Sequence, residues 1–460
     1  MSERASFFNL YRHNFVRLAV AVPPARVADP QFNAEQTISL MKQAEERKAL
    51  LVVFPELGLS AYSCEDLFQQ QALLDASAEG LGRIIEVSRD LSLLSIVGLP
   101  LVVDNMLFNC AAVVHKGRLL GLAPKTYLPN YREFYEARQF TSASLRLRDT
   151  IHFAAHQNVP FSNRLLFQAE DQPLFTFFVE VCEDLWVPLP PSSYAALRGA
   201  TVLVNLSASN ATIGKDDFRR LLAASQSGRC IAAYVYCAAG SGESTTDLAW
   251  DGQGVIYENA TKVAETERFL YHPQLITADI DLDRLVQDRM RQNSFAESGR
   301  NHREDLADFQ SIPFHLDPPV SIRLPLERTH ERFPYVPSGL AHRRTLPRSV
   351  RDSSARFGET PRSHPFEKSG HRSFRRTRLH TGPGRLRPCH GRAGISSQQY
   401  PGLHHARICY DRAHFATGPP SHGRDWLRTP GDRHSAQLLT NVEGYRPPVC
   451  LRATRIRHDL

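Results

Sequence analysis

Hydrophobic periodicity stops part-way along this chain, and that limits what can fold. Up to about residue 300, apolar stretches alternate between a strand-like and a helix-like rhythm, whereas beyond about residue 335 neither rhythm survives. A packed core must be drawn from the first part. Phe15–Val22 reads as a strand, Asn33–Arg47 as an amphipathic helix and Ala49–Phe54 as a buried strand ending in Pro-Glu. Further strands are expected at Leu94–Val103, Leu107–His115, Leu174–Val181, Thr201–Leu206 and Ile231–Ala238, with helices near Gly80–Leu91, Ser192–Arg198 and Asp216–Ser227. Near-continuous apolar strands interleaved with helices predict an α/β domain whose sheets are covered by helices.

The remaining sequence is of a different kind. Of the 19 histidines, 14 lie after residue 300, and segments such as His342–Arg348 and Pro401–His405 mix Arg, His, Pro and Gly without period. The net charge of +7 is concentrated there. Disorder and a basic nucleic-acid arm are two readings of such a tail. Translation in the wrong frame is the third, and it explains more. When the codons permitted by Phe374–Thr381 are regrouped one base on, they include Ser-Gly-Gly-Leu-Asp-Ser-Thr, and Ser369–Ser373 can spell Val-Val-Ile-Gly-Val before it. Leu346–Arg351 can similarly regroup as Cys-x-Glu-Val-Tyr-x. An apolar strand running into SGGLDST resembles the pyrophosphate-binding loop of ATP pyrophosphatases, where small residues and backbone N–H groups cradle phosphate. This places the loss of frame near Ser338 or Gly339. Codon degeneracy leaves the other two readings open.

Other classes are disfavoured. No apolar run reaches the roughly 20 residues of a membrane span, and the N-terminus does not read as a secretory leader, so the expected location is cytoplasmic. Cys64, Cys110, Cys182, Cys230, Cys237, Cys389, Cys409 and Cys450 form no CxxC pair, against a disulfide framework or zinc ribbon. No zinc-finger, helix-turn-helix or base-stacking motif accompanies the basic charge, and no nucleic-acid partner is expected.

Three polar residues sit at or just after the ends of expected strands, where α/β folds gather their active sites. Glu56 follows Leu51-Val52-Val53-Phe54-Pro55; a carboxylate at the mouth of an apolar strand is poorly solvated and suited to shuttling a proton, although it could equally cap a helix. Lys125, in Gly121-Leu122-Ala123-Pro124-Lys125, can donate to a developing oxyanion or be a solvated surface lysine. Cys182 ends Phe177-Phe178-Val179-Glu180-Val181 and runs into Glu183-Asp184, the strand-to-turn setting of a nucleophile, or of a buried structural cysteine.

Taken together, Glu, Lys and Cys in this order resemble the nitrilase, or carbon–nitrogen hydrolase, superfamily. The segments FPELGLS, PKTYLPNYREFYE and VCEDLW carry that resemblance, and their longer forms, with SASNATIGK and the stretches Cys237–Glu243 and Asp251–Gly254, resemble the glutaminase domains of glutamine-dependent NAD synthetases. The likeness runs from about Tyr11 to Asp281. It implies a four-layer αββα sandwich, followed here by a largely irregular tail. It also implies that Cys182 attacks the glutamine carboxamide, that Glu56 moves the proton, that Lys125 holds the oxyanion and that Glu136 orients the triad unless it serves a simple ion pair. Tyr131, Ser209 and Lys215 match glutamine-binding positions, with Tyr62, Phe134 and Glu183 expected to complete the pocket unless the two aromatics are ordinary core.

The resemblance further implies a domain at 12–285, a linker toward a synthetase domain at 286–338, and at 339–460 an out-of-frame remnant of that ATP-dependent domain. The glutaminase step needs no cofactor. The full family reaction uses ATP and Mg²⁺ to amidate deamido-NAD with the ammonia released, yet no in-frame SGGLDS loop or metal site is present to carry it. Homo-oligomers are the family habit. A freestanding amidase or nitrilase acting on another amide is the alternative, disfavoured by NYREFYE and SASN…K.

Overall fold

A computed structural model describes residues 6–328 except residue 247. The tail at 339–460, and with it the wrong-frame reading, lies outside these residues. In chain order the described elements are β1 (Phe15–Val22), α1 (Pro30–Glu46), β2 (Leu51–Val53), α2 (Gln71–Ser88), β3 (Leu94–Val103), β4 (Met106–His115), β5 (Arg118–Pro124), β6 (Thr150–Phe153), β7 (His156–Pro160), β8 (Leu165–Ala169), β9 (Thr176–Val181), α3 (Pro191–Leu197), β10 (Val202–Ser207), α4 (Lys215–Cys230), β11 (Ala233–Ala238), β12 (Gly254–Glu258), β13 (Thr261–Glu265), β14 (Gln274–Asp281), α5 (Leu282–Arg291), α6 (Asn293–Asn301) and β15 (Gln310–Phe314).

Two sheets carry the architecture. One runs β14-β1-β2-β3-β4-β5 and the other β13-β12-β11-β10-β9-β8-β15, while β6 and β7 form a separate hairpin. Each has a parallel centre, β1-β2-β3 in the first and β9-β10-β11 in the second, flanked by antiparallel neighbours. Strands buried on both faces are largely apolar, and β1, β3, β10 and β11 are so apart from Arg17, Ser95, Asn205 and Ser207 and the two tyrosines of β11. Val20, Val53 and Ile96 of the first sheet meet Val179, Val204 and Val235 of the second in one core between the sheets. The outer face of the first sheet is covered by α1 and α2 through Leu40, Met41, Leu81 and Ile84, and that of the second by α3 and α4 through Ala195, Ala196 and Ala223. The result is the expected four-layer αββα sandwich.

Local chemistry fixes the helix starts. The Asp29 side chain accepts from Phe32 N–H ahead of Pro30 at the first turn of α1, and Asp281 does the same for Arg284 N–H in α5. The stretch 286–328, expected as linker, packs onto the sandwich. Here β15 adds to β8 in parallel, and Ile312, Phe314, Leu316 and Leu324 join the core between the sheets.

Candidate functional site

Parallel strands bring their carboxyl ends to one edge, and Glu56, Cys182 and Ser207 stand at the ends of β2, β9 and β10. The loop that carries Glu56 lies flat against β3 because residue 98 is glycine. A Cβ there would sit 2.3 Å from Leu57 N and 2.7 Å from Pro55 O. Across the two sheets, Glu56 N–H donates to Ser207 O at 3.3 Å.

The three predicted residues are brought together and buried, with Glu56 and Lys125 inaccessible and Cys182 7% exposed. Lys125 Nζ donates to Glu56 Oε1 at 2.7 Å and to Glu136 Oε1 at 2.8 Å. Two of its three N–H donors are thus committed and the third remains for a ligand. Glu136 also accepts from Tyr62 OH at 2.8 Å, and Asn109 Nδ2 donates to Glu56 Oε1 at 2.7 Å. The second oxygens of Glu56 and Glu136 are buried without a hydrogen-bond partner. Glu56 Oε2 is therefore free to accept a proton.

Electrostatics follow from burial. Desolvation works to lower the Lys125 pKa, but the adjacent Glu136 and Glu56 carboxylates outweigh it and hold the ammonium well above its ordinary value. Burial pushes Glu136 up to about 7, against the pull of Lys125 and with the help of Glu56. Burial, reinforced by the Glu56 charge and opposed by Lys125, also raises the Cys182 thiol. A thiol raised in this way would need a base to act as a nucleophile.

Cys182 itself has a φ of +45°, a left-handed conformation costly for a residue with a Cβ. It opens one turn of 3₁₀ helix, Cys182–Leu185. The Asp184 carboxylate holds that turn by accepting from Val181 N at 3.0 Å and from Tyr127 N at 2.9 Å, which ties the cysteine to the segment after Lys125. Asn205 Nδ2 donates to Cys182 O at 3.4 Å, and Ser207 Oγ to Cys182 Sγ at 3.2 Å.

A cleft of about 660 Å³ opens beside Cys182, and Tyr131, Phe134, Glu183, Ser209 and Lys215 all line it. Tyr131 OH donates to Glu183 at 2.9 Å, and the Lys215 ammonium lies 5.1 Å from the Phe134 ring centroid and 5.3 Å from that of Trp186. Burial lowers the Lys215 pKa and raises that of Glu183. Tyr62 is placed differently. It lines a neighbouring cavity of about 60 Å³ with Phe134, Glu136 and Trp250, and it reaches the site through its bond to Glu136. Among the described residues no group of three or more His, Cys, Asp or Glu side chains is placed to hold a metal ion, and no helix is long and apolar enough to cross a membrane.

Asn109, Asp184, Ser207 and Tyr236, whose OH donates to Ser207 Oγ at 2.8 Å, belong to the site without having been singled out from the sequence. Their signal in the sequence is polar side chains within the otherwise apolar strands MLFNCAAVVH, VLVNLS and AYVYCA, or one turn after one.

Comparison with known proteins fits this geometry. Residues 17–290 match the family described as Carbon-nitrogen hydrolase. A Mycobacterium bovis protein named Glutamine-dependent NAD(+) synthetase is 47% identical over 333 residues, covering 72% of this chain and 49% of that protein. A Mycobacterium leprae protein of the same name is 46% identical over 332 residues, covering 72% and 48%. The crystal structure of a glutamine-dependent NAD(+) synthetase from Cytophaga hutchinsonii superposes with a TM-score of 0.52 at 26% identity, over 58% of this chain and 43% of that one. The chain thus spans about half the length of the curated relatives it matches.

Proposed function

The chain belongs to the carbon–nitrogen hydrolase family, and from that premise we propose that Cys182 hydrolyses the side-chain amide of glutamine to glutamate and ammonia through a thioester. The observation that carries the reading is the cleft beside Cys182, which presents Lys215 and Glu183 together. An α-amino acid carries a carboxylate and an ammonium at one end. Lys215 suits the first, Glu183 with Tyr131 suits the second, and the side-chain amide then reaches toward the sulfur. An amide lacking the amino-acid end would leave both charges unmatched.

In the proposed cycle the Cys182 proton passes to Glu56 Oε2 as the sulfur pair forms a bond to the amide carbon. The remaining Lys125 N–H steadies the oxyanion. Collapse of the tetrahedral species breaks the C–N bond, Glu56 returns its proton to the departing nitrogen, and water then cleaves the thioester by the same route. Glu136 would keep Lys125 in place by sharing its charge with Glu56.

The relatives are named glutamine-dependent NAD(+) synthetases, and the family resemblance implies that the ammonia is destined for ATP- and Mg²⁺-dependent amidation of deamido-NAD to NAD. That half lies beyond the described residues, and we propose that residues 339–460 are an out-of-frame remnant that does not perform it. The relatives' identity covers 72% of this chain, which supports a foreign tail. Ammonia release from glutamine by the purified chain, assayed beside NAD formation from deamido-NAD, ATP and Mg²⁺, tests both parts. Ammonia without NAD is expected. Absence of ammonia release would remove the glutaminase reading, and NAD formation would remove the frame reading.

A further inference from the structure

Ser207 touches both halves of the reacting pair. Its carbonyl accepts the Glu56 N–H at 3.3 Å and the Ala239 N–H at 3.0 Å, while its hydroxyl donates to Cys182 Sγ at 3.2 Å. The direction of that last bond is set from behind. Tyr236 OH donates to Ser207 Oγ at 2.8 Å, so the serine's own proton is left for the sulfur. Ser207 and Tyr236 are buried, while Cys182, 7% exposed, meets the cleft on its other side. Behind Tyr236 stands the buried Arg219, paired with Asp251, its positive charge falling on the tyrosine hydroxyl and its Nη1 donating to Ser209 O at 3.1 Å.

We propose that Ser207 is a further catalytic residue, whose hydroxyl stabilises the Cys182 thiolate as it forms, and that Tyr236 is the positioning residue that aims it. The inference rests on the reading of Cys182 as the nucleophile. No proton leaves Ser207: the cysteine proton still goes to Glu56, the sulfur pair to the amide carbon, and the serine O–H contributes only a hydrogen bond that strengthens as charge gathers on sulfur. The same serine supports the base, because its carbonyl holds the backbone of the Glu56 loop. One residue thereby sets the nucleophile and the base relative to each other.

The test is alkylation of Cys182 by iodoacetamide across a pH series, followed by mass measurement of the Cys182 peptide, in the full chain and in Ser207→Ala and Tyr236→Phe. This readout needs no glutamine. The ionisable groups that act on the sulfur are Glu56, Lys125 and Glu136, with the charges of Tyr62, Tyr131 and Lys215 also coupled to it. Tyr236 is coupled to it as well; all of these groups are kept in Ser207→Ala, and Tyr236→Phe removes only the tyrosine hydroxyl. Loss of a hydrogen bond to a developing charge predicts a rate about tenfold to a hundredfold lower for Ser207→Ala near neutral pH. The rising limb should move to higher pH, and Tyr236→Phe should move it less in the same direction.

A rate that falls equally at every pH would mean simple displacement of the sulfur and would overturn the proposal. Wild-type profiles in both variants would overturn it as well. Should Ser207→Ala fail to fold, Tyr236→Phe, which removes a single oxygen, decides alone by the same criterion. With glutamine, the variants should lose kcat while KM stays near the wild-type value. If the wild-type chain released no ammonia but the alkylation profiles still moved as expected, the glutamine reading would fall and the role of Ser207 would stand.

Discussion

One lysine faces two carboxylates at the centre of this site, and the arrangement leaves a pH signature. Glu136 is raised from 4.5 to about 7 by burial, against Lys125 and with Glu56. A carboxyl whose folded pKa lies above its unfolded one favours folding most when protonated, so its contribution is full below 4.5 and is lost as pH rises to about 7. Glu136→Gln keeps an oxygen to accept from Lys125 and Tyr62 but cannot titrate. Thermal unfolding of the wild type should therefore lose on the order of 2 kcal/mol across this window relative to the variant. Parallel curves for the two proteins would show that Glu136 is ionised throughout. At Cys182 the expectation is simpler. Cys182→Ala removes one sulfur atom and should leave stability within about 1 kcal/mol while ammonia release and the acylated mass both disappear. Release at the wild-type rate would reassign the nucleophile. Glu56, Lys125 and Cys182 were legible because each breaks or follows an apolar run. Asn109, Ser207 and Tyr236 were not, since a polar residue within a strand acquires meaning only when the neighbouring strand is known, and here the contacts cross from β4 to the β2 loop and between β9, β10 and β11.

Elements place these groups, and two glycines show how tightly. Gly98 lies in β3, where the neighbouring backbone at 55–57 leaves no room for a methyl group. Gly98→Ala must push that backbone aside, and backbone cannot yield as a flexible side chain can. A stability loss of about 3 kcal/mol is expected. Ammonia release should fall further than the folded fraction does, because the displaced loop carries Glu56. Equal losses of folding and activity in a denaturant titration paired with the ammonia assay would contradict this. Gly80 explains a misread boundary. The pattern suggested a helix starting there, yet α2 begins at Gln71, and Gly80 is the point where α2 approaches α1, with an added Cβ only 3.5 Å from Ala34 Cβ and from Pro30 O. A glycine that looks like a helix breaker in sequence serves here as a contact surface. The strands β1 and β3 were legible to the residue because their apolar runs end at Pro or charged residues. The exposed β13 and the hairpin β6–β7 were not, because their burial is partial and their pairing decides them.

At the scale of the whole molecule, the sandwich depends on residues beyond 17–290, the stretch that matches the family model. Asp279 on β14 is buried against Arg17 on β1 at 2.7 Å, and Arg17 also meets Glu327 at 2.8 Å and the carbonyl of Pro325 at 3.3 Å. The Arg328 guanidinium closes on the buried Glu258, with Nη2 3.0 Å from Oε1. Ile312, Phe314, Leu316 and Leu324 fill the core between the sheets, at roughly 1.5–3 kcal/mol for each fully buried side chain. Their sum is comparable with the 5–15 kcal/mol that holds a typical domain together. Two truncations separate the possibilities. A chain ending after residue 328 keeps every described contact and should unfold cooperatively at the wild-type midpoint, with ammonia release intact. A chain ending after residue 285 loses β15 and these four core side chains, exposes the edge of β8 and leaves Glu258 with Arg284 at 3.7 Å but without the Arg328 guanidinium. It should be found unfolded or aggregated by circular dichroism and gel filtration. If the shorter chain instead folded and released ammonia, residues 286–328 would be a dispensable linker that merely rests on the sandwich, and the sheet would end at β8.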